Sequence, residues 1–365
     1  MTNQLVSLWA RLSYFIFDFK FYLLIFGAIF LLGIILLLLK RTRLTLTVVA
    51  SVYTLTLIFT LAEFYYRYIF DATDNVYYIK TTQRWIQRHV VWNGNGYRDD
   101  HFWQQKDPRE TRILFLGDSY TFGYGLKDSQ HRYSELLGQK LASSCPQGKT
   151  LKTYNLGLPG NQSQTYLKQL SAETSRFLPD AVIIEYFLDD IGADALPDQV
   201  LDFAQVIYSY KQKPIIGFLL HRSYALEYLY IRLAGLFSSS HDWSQFINFN
   251  QTLYRDPNTW QRHLSTLQKI ITTAQSQRLP LAVFILPQSH RLGANYPLTD
   301  IHQQLVKFFT DQKVPVVDLL PILNQSPPKQ IMVSRHDFHL NQLGHQLIAD
   351  QLYQLLKDNP AFQCH

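Results

Sequence analysis

Cysteine and methionine are nearly absent from this 365-residue chain, with two of each. So low a thiol count excludes a disulfide-rich scaffold and any centre built on several cysteines. Cys145 and Cys364 could pair if the part that carries them lies in an oxidising compartment; two separate thiols are the other reading. Charge is also sparse, at 17% of residues against 47% hydrophobic. Internal repeats and low-complexity tracts are lacking. The net charge of +6 puts no basic face on the later part of the chain, because Lys and Arg outnumber Asp and Glu by nine to four up to His89 and by only 25 to 24 thereafter. This distribution argues against nucleic-acid binding and sets the basicity beside apolar segments, where it governs membrane topology.

Long apolar runs are what the N-terminus does have. Residues 21–39 carry no charge, and at ~1.5 Å per residue they would extend roughly 29 Å, close to the hydrocarbon thickness of a bilayer. A second uncharged, Thr-rich run covers 44–62, and Glu63, Tyr65, Tyr66, Arg67 and Tyr68 follow as an interfacial belt. The expected spans are 21–39 and 44–64. Lys40-Arg41-Thr42-Arg43 between them reads as a cytoplasmic loop, which sends both termini and the rest of the chain to the extracytoplasmic, periplasmic side. Before the first span, Leu5, Leu8, Trp9, Leu12, Phe15, Ile16 and Phe19 recur at helical spacing, as in a helix over 5–19 lying in the interface. A cleaved signal peptide fits poorly, because the run is too long and no small-residue cleavage site precedes a mature start.

Residues 1–70 thus form an expected anchor, and 71–110 a connector with a turn at Asn93-Gly94-Asn95-Gly96. From Thr111 onward short apolar runs alternate with helical patterns. Strands are expected at 112–116, 151–156, 181–187, 281–286 and 314–319, and helices at 133–142, 162–177, 259–278, 300–312 and 342–356. Buried strands separated by helices imply an α/β parallel sheet covered on both faces, with reactive groups at the carboxyl ends of the strands. An insertion over 198–258 interrupts the alternation. Its apolar stretch 214–237 contains His221, Arg222, Glu227 and Arg232. Those charges oppose a membrane span and favour an amphipathic helix, which could be a lid, a face resting on lipid or a plain packing helix.

Four blocks carry the chemistry. Gly117-Asp118-Ser119 ends the 112–116 strand, so Ser119 can be a nucleophile if an imidazole reaches it and a carboxylate orients that imidazole. Asp337-Phe338-His339-Leu340-Asn341, ahead of the last helix, offers both groups. Between them lie Asn155-Leu156-Gly157-Leu158-Pro159-Gly160-Asn161 and Leu188-Asp189-Asp190-Ile191. Taken singly, Ser119 could be a turn serine capping a helix, Pro159-Gly160 an ordinary turn and Asp189 a loop carboxylate. His336, His339 and His345 with Asp337 could instead be a metal cluster, but no further partner of metal-ligand spacing accompanies them.

The four blocks in this order resemble the SGNH (GDSL-type) hydrolases, a family of esterases, deacetylases and acyl transferases. The resemblance runs from about Thr111 to the C-terminus, and Asn93 to Arg98 is similar to the lead-in of membrane-anchored members. It implies a three-layer α/β/α flavodoxin-like domain over 111–365, which follows the N-terminal transmembrane helical hairpin read from the apolar runs; no cofactor or metal is expected. It implies Ser119 as nucleophile, His339 as base and Asp337 as its orienting carboxylate. The Ser119 and Gly160 backbone N–H groups would face the oxyanion. The spacing Asp-x-His, with His336 where the more frequent Asp-x-x-His would start, occurs among relatives that act on envelope polysaccharide. Asp189 stands where the family has the asparagine whose amide also serves the oxyanion, and an ionised carboxylate there would repel it. A neutral Asp189, or a hole made by Ser119, Gly160 and Asn161, would avoid that repulsion. The implied partners are an acylated carbohydrate or lipid and the bilayer, and the contrasting expectation is a degenerate domain that binds glycan or an assembly partner.

Overall fold

The computed structural model describes residues 19, 20, 22, 24, 26–36, 38, 43–74, 79–99, 105–195, 214–237 and 243–364. It divides into two compact units, Met1–Asp71 with Tyr210–Leu233 and Ala72–Ser209 with Ala234–His365.

In the second unit, five segments pair as a wholly parallel sheet. They are β1 (Glu110–Leu116), β2 (Thr150–Asn155), β3 (Ala181–Phe187), β4 (Leu281–Leu286) and β5 (Val316–Asp318). Their order is β2-β1-β3-β4-β5, that of a doubly wound flavodoxin-like sheet. β1, β3 and β4 are buried at every position, which is why they read as unbroken apolar runs rather than as alternating ones. Helices Tyr133–Ala142, Ser163–Phe177, Pro257–Ser276, Thr299–Asp311 and Gln342–Leu356 accompany the strands. Because β1 has β2 on one side and β3 on the other, the chain reverses its winding at the end of β1. In such sheets that switch point is where the strand ends open a crevice. Ser119 lies there.

Two features differ from the expectation. The connector holds a helix, Lys80–His89, whose Trp85 packs with Val90, Phe122 and Tyr124, so it is part of this unit's interior. A separate antiparallel hairpin, β6 (Met332–Ser334) and β7 (Asp337–Leu340), precedes the last helix. It is too short to leave a periodic signal. Asn341 locks its end: Oδ1 accepts from Leu343 and Gly344 N–H as an N-cap, while Nδ2 donates to Gln330 and Met332 carbonyls. Cys145 and Cys364 form a disulfide, with Cα atoms 5.2 Å apart.

Among the described residues, the first unit contains one helix long and apolar enough to cross a membrane, Leu46–Ile69, with a mean hydropathy of 1.7; Phe26–Leu36 is a shorter apolar helix. Tyr53 Oη donates to the Ile29 and Phe30 carbonyls between the two. The threonines of the long helix suit lipid because they satisfy themselves: Thr54, Thr56 and Thr60 hydroxyls each donate to the carbonyl four residues back, at 2.8–2.9 Å. The expected interfacial helix over 5–19, apart from Phe19, and the loop at 40–42 lie outside the described residues, as does part of the first expected span.

Candidate active site

The turn after β1 is built so that Ser119 stands clear. Asp118 caps the short helix Ser119–Phe122, its Oδ1 accepting from Tyr120 N–H at 2.7 Å, and Gly123 closes the turn in the left-handed conformation. Beneath it, Glu185 in the middle of β3 accepts from Thr121 N–H at 2.8 Å and from the Thr121 hydroxyl. Asn155, at the end of β2, donates to the Thr121 carbonyl and to Ser134 Oγ at 2.7 Å each and accepts from Gly157 N–H. Gly157 must be glycine, since a Cβ there would sit 2.4 Å from Phe122 N. These contacts fix the backbone on both sides of a half-buried Ser119.

β7 brings the other two groups. Residues two apart on a strand share a face, so the Asp-x-His spacing points Asp337 and His339 the same way. His339 Nε2 is 2.8 Å from Ser119 Oγ, and its Nδ1 is 2.6 Å from Asp337 Oδ1. Asp337 is fully buried. It also accepts from His339 N–H at 3.1 Å and, at Oδ2, from the Thr73 hydroxyl. The imidazole is held between the rings of Tyr120 and Tyr124, with centroids 4.9 and 4.6 Å away. Tyr124 Oη in turn donates to the Asp74 carbonyl. Both Thr73 and Asp74 come from the segment before the Lys80–His89 helix. The sequence reading missed Thr73, Tyr120, Tyr124 and Glu185.

The other histidines go elsewhere. His336 Nε2 accepts from Arg335 at 2.8 Å. His345 is buried, stacks on Tyr133 and accepts from Tyr133 N–H at Nδ1; burial, aided by Arg132, lowers its pKa to about 3.

Gly160 lies exposed in a turn with φ of 80°, a conformation that favours glycine. Among the described residues no acceptor takes its N–H. Gln162, two residues on, donates to the Asp189 carbonyl at 2.8 Å and so ties this turn to the one after β3. Asn161 Nδ2 donates to Gln169 at 3.2 Å. Asp189 Oδ1 is buried without a partner among the described residues. Burial, with the Asp118 carboxyl nearby, pushes the Asp189 carboxyl well above the usual range. Asp190 is buried as well and bonds Tyr166 Oη at 3.1 Å.

A model of the GDSL-like lipase/acylhydrolase family matches residues 115–347. The chain belongs to this family. Solved structures to which it is similar include TesA, at 15% identity and a TM-score of 0.42 over 68% of this chain and 98% of that one. The lipase/acylhydrolase from Enterococcus faecalis is 18% identical, with a TM-score of 0.39 over 68% and 95%. A catalytic mutant of Axe2, an acetylxylan esterase from Geobacillus stearothermophilus, is 11% identical, with a TM-score of 0.41 over 67% and 93%. No curated protein sequence matches the chain. The GDSL-type block of this member reads Gly117-Asp118-Ser119-Tyr120.

The carboxyl under the Ser119 turn has a measurable consequence. Burial raises the Glu185 pKa to about 7, so the folded chain holds this proton more tightly than the unfolded one. Its contribution to stability is complete below the ordinary carboxylate range and is lost as pH rises towards about 7. Glu185→Gln keeps an acceptor for Thr121 and removes the titration. Thermal midpoints of the full chain in detergent should therefore fall less steeply across that window in the variant. Equal slopes would mean that Glu185 is ionised in the fold throughout.

Proposed function

We propose that the chain is a membrane-anchored serine esterase or acyl transferase that acts on ester groups, O-acetyl foremost, of cell-envelope carbohydrate or lipid. The observation that carries this reading is the continuous contact from Ser119 Oγ through His339 to Asp337. Ser119 Oγ attacks the ester carbonyl as its proton passes to His339 Nε2, and Asp337 holds the imidazole in the tautomer that can accept it. The Ser119 and Gly160 N–H groups face the oxyanion, with Asp189 as a third donor if its carboxyl is neutral. Collapse of the tetrahedral adduct breaks the ester C–O bond, and the leaving alkoxide takes the proton from His339. Water or an acceptor hydroxyl then attacks the acyl-serine, giving its proton to His339, and Ser119 is restored.

The anchored part of the reading rests on the apolar Leu46–Ile69 helix; two passes, over 21–39 and 44–64, are our reading of the apolar runs, and the basic loop between them at 40–43 then belongs in the cytoplasm by the positive-inside rule. The Cys145–Cys364 disulfide suits the oxidising side of a membrane, where envelope polymers and lipids are found. We take residues 71–110 as the entry into a hydrolase domain over 111–365.

The experiment is hydrolysis of a chromogenic acetyl ester by the full chain in detergent. Turnover well above the spontaneous rate is expected. A degenerate, glycan-binding member is the second reading, which Asp189 favours. That reading gains if the folded protein gives no turnover at any pH but retains acetylated polysaccharide.

A further inference from the structure

Among its described residues, the insertion after β3 holds three helices, Pro214–Leu220, Tyr224–Phe237 and Trp243–Arg255. Its part up to Leu233 groups with the membrane helix and not with the sheet. The attachment is made by charged groups that an apolar unit would otherwise have no reason to hold. Glu63 is fully buried, and its carboxylate accepts from Ser223 Oγ at 2.6 Å, Ala225 N–H at 2.9 Å and Tyr224 N–H at 3.2 Å. It thus sits at the N-terminus of the Tyr224–Phe237 helix, where a negative charge meets unsatisfied N–H groups and the positive end of the dipole. Arg67 bridges from Glu63, donating at 2.8 Å, to the Arg222 carbonyl at 2.7 Å. Farther along, the Tyr228 ring stacks on Tyr66 at 4.4 Å. The insertion is therefore pinned to the last turns of the Leu46–Ile69 helix.

What this pinned segment turns outward is apolar. Ile215 is 78% exposed, Phe218 53% and Leu219 48%, with Leu229 and Leu233 exposed on the next helix. Pro214–Leu220 contains no charged residue, and the cationic Arg222 with His221 follows at its end, both exposed. The Arg222 guanidinium lies 3.7 Å over the Phe218 ring. The membrane helix exposes Leu61, Phe64 and Ile69 in the same unit. So much exposed apolar side chain on so short a segment calls for a nonaqueous partner. Seven residues of helix, at roughly 10 Å, are too short to span a bilayer but long enough to lie in its boundary.

We propose that the occupant of this face is the lipid bilayer itself. Pro214–Leu220 lies in the interface as an additional anchor, with Ile215, Phe218 and Leu219 among acyl chains and His221 and Arg222 at the level of the phosphates. The assignment rests on the reading of Leu46–Ile69 as a membrane span and extends it to a segment about 150 residues away in sequence.

The test is site-directed spin labelling of the full chain in vesicles of phosphatidylethanolamine and phosphatidylglycerol. The two native cysteines are joined to each other, so single cysteines can be introduced by Ile215→Cys, Phe218→Cys and Leu219→Cys. Leu55→Cys, in the membrane helix, and Lys307→Cys, exposed in the second unit, serve as references, and unchanged circular dichroism checks folding. At 215, 218 and 219, collisions with oxygen should exceed those with a water-soluble nickel chelate, as at 55, and the reverse should hold at 307. If 55 reports lipid but 215, 218 and 219 report water, the interfacial anchor is overturned and the membrane span stands. If those three are shielded from both agents, protein covers the face and the proposal fails. If 55 itself reports water, the membrane span fails and the interfacial anchor fails with it.

Discussion

Replacing Ser119 with alanine should lower kcat/KM for a chromogenic acetyl ester by about 10⁴-fold or more, the usual scale for loss of a nucleophile that acts as a unit with its base. The expectation follows from the contact between Ser119 Oγ and His339 Nε2 at 2.8 Å. Among the described residues, no other hydroxyl hydrogen-bonds to the His339 ring. The fold should tolerate the change, because Asp118, Glu185 and Asn155 hold the turn through groups other than the Ser119 side chain. The variant should therefore melt at nearly the parent temperature while turnover disappears. Retained turnover would remove Ser119 from the chemistry.

The second large effect belongs to Asp189. Burial and the Asp118 carboxyl keep its proton on well above the usual carboxylate range, so it can donate a hydrogen bond to a developing oxyanion as a neutral acid. Ionisation at higher pH turns that donor into a repelling charge. The pH–rate profile of the parent should then have an alkaline limb that its asparagine variant lacks, since an amide donates at every pH. The acid side of the profile should be alike in both. Loss of one oxyanion donor costs on the order of 100-fold, so Asp189→Asn should exceed the parent by about that factor at the alkaline end and by little at the acid end. A shared alkaline limb would mean that Asp189 does not face the oxyanion. Lower activity in the variant at every pH would assign Asp189 a proton-transfer task.

The sheet was legible because β1, β3 and β4 are buried on both faces and so stand out as apolar runs between helical patterns. β3 and β4 lie at the positions the sequence indicated. That Ser119 and His339 could meet was legible from their places, one at the end of a strand and the other just before the last helix. The groups that hold them were not. Thr73 is a single hydroxyl in a connector 264 residues from Asp337, and no periodicity marks it. Glu185 is hidden inside the run that identifies β3, where one acidic residue reads as an interruption. The β6–β7 hairpin is too short for a pattern, although it explains why Asp337 and His339 are two apart. Glu63 read as part of an interfacial belt, yet it receives the start of a helix 160 residues later. Such pairings depend on tertiary placement, which local propensity does not encode.

The central claim is that Ser119 is a nucleophile activated by His339. Its most direct measurement is reaction of the full chain with a fluorophosphonate, followed by proteolysis and mass spectrometry to locate the adduct. The account predicts a single stoichiometric adduct on Ser119, much slowed in a His339→Gln variant. A folded protein that stays unmodified, or one modified at another residue with Ser119 intact, would contradict it.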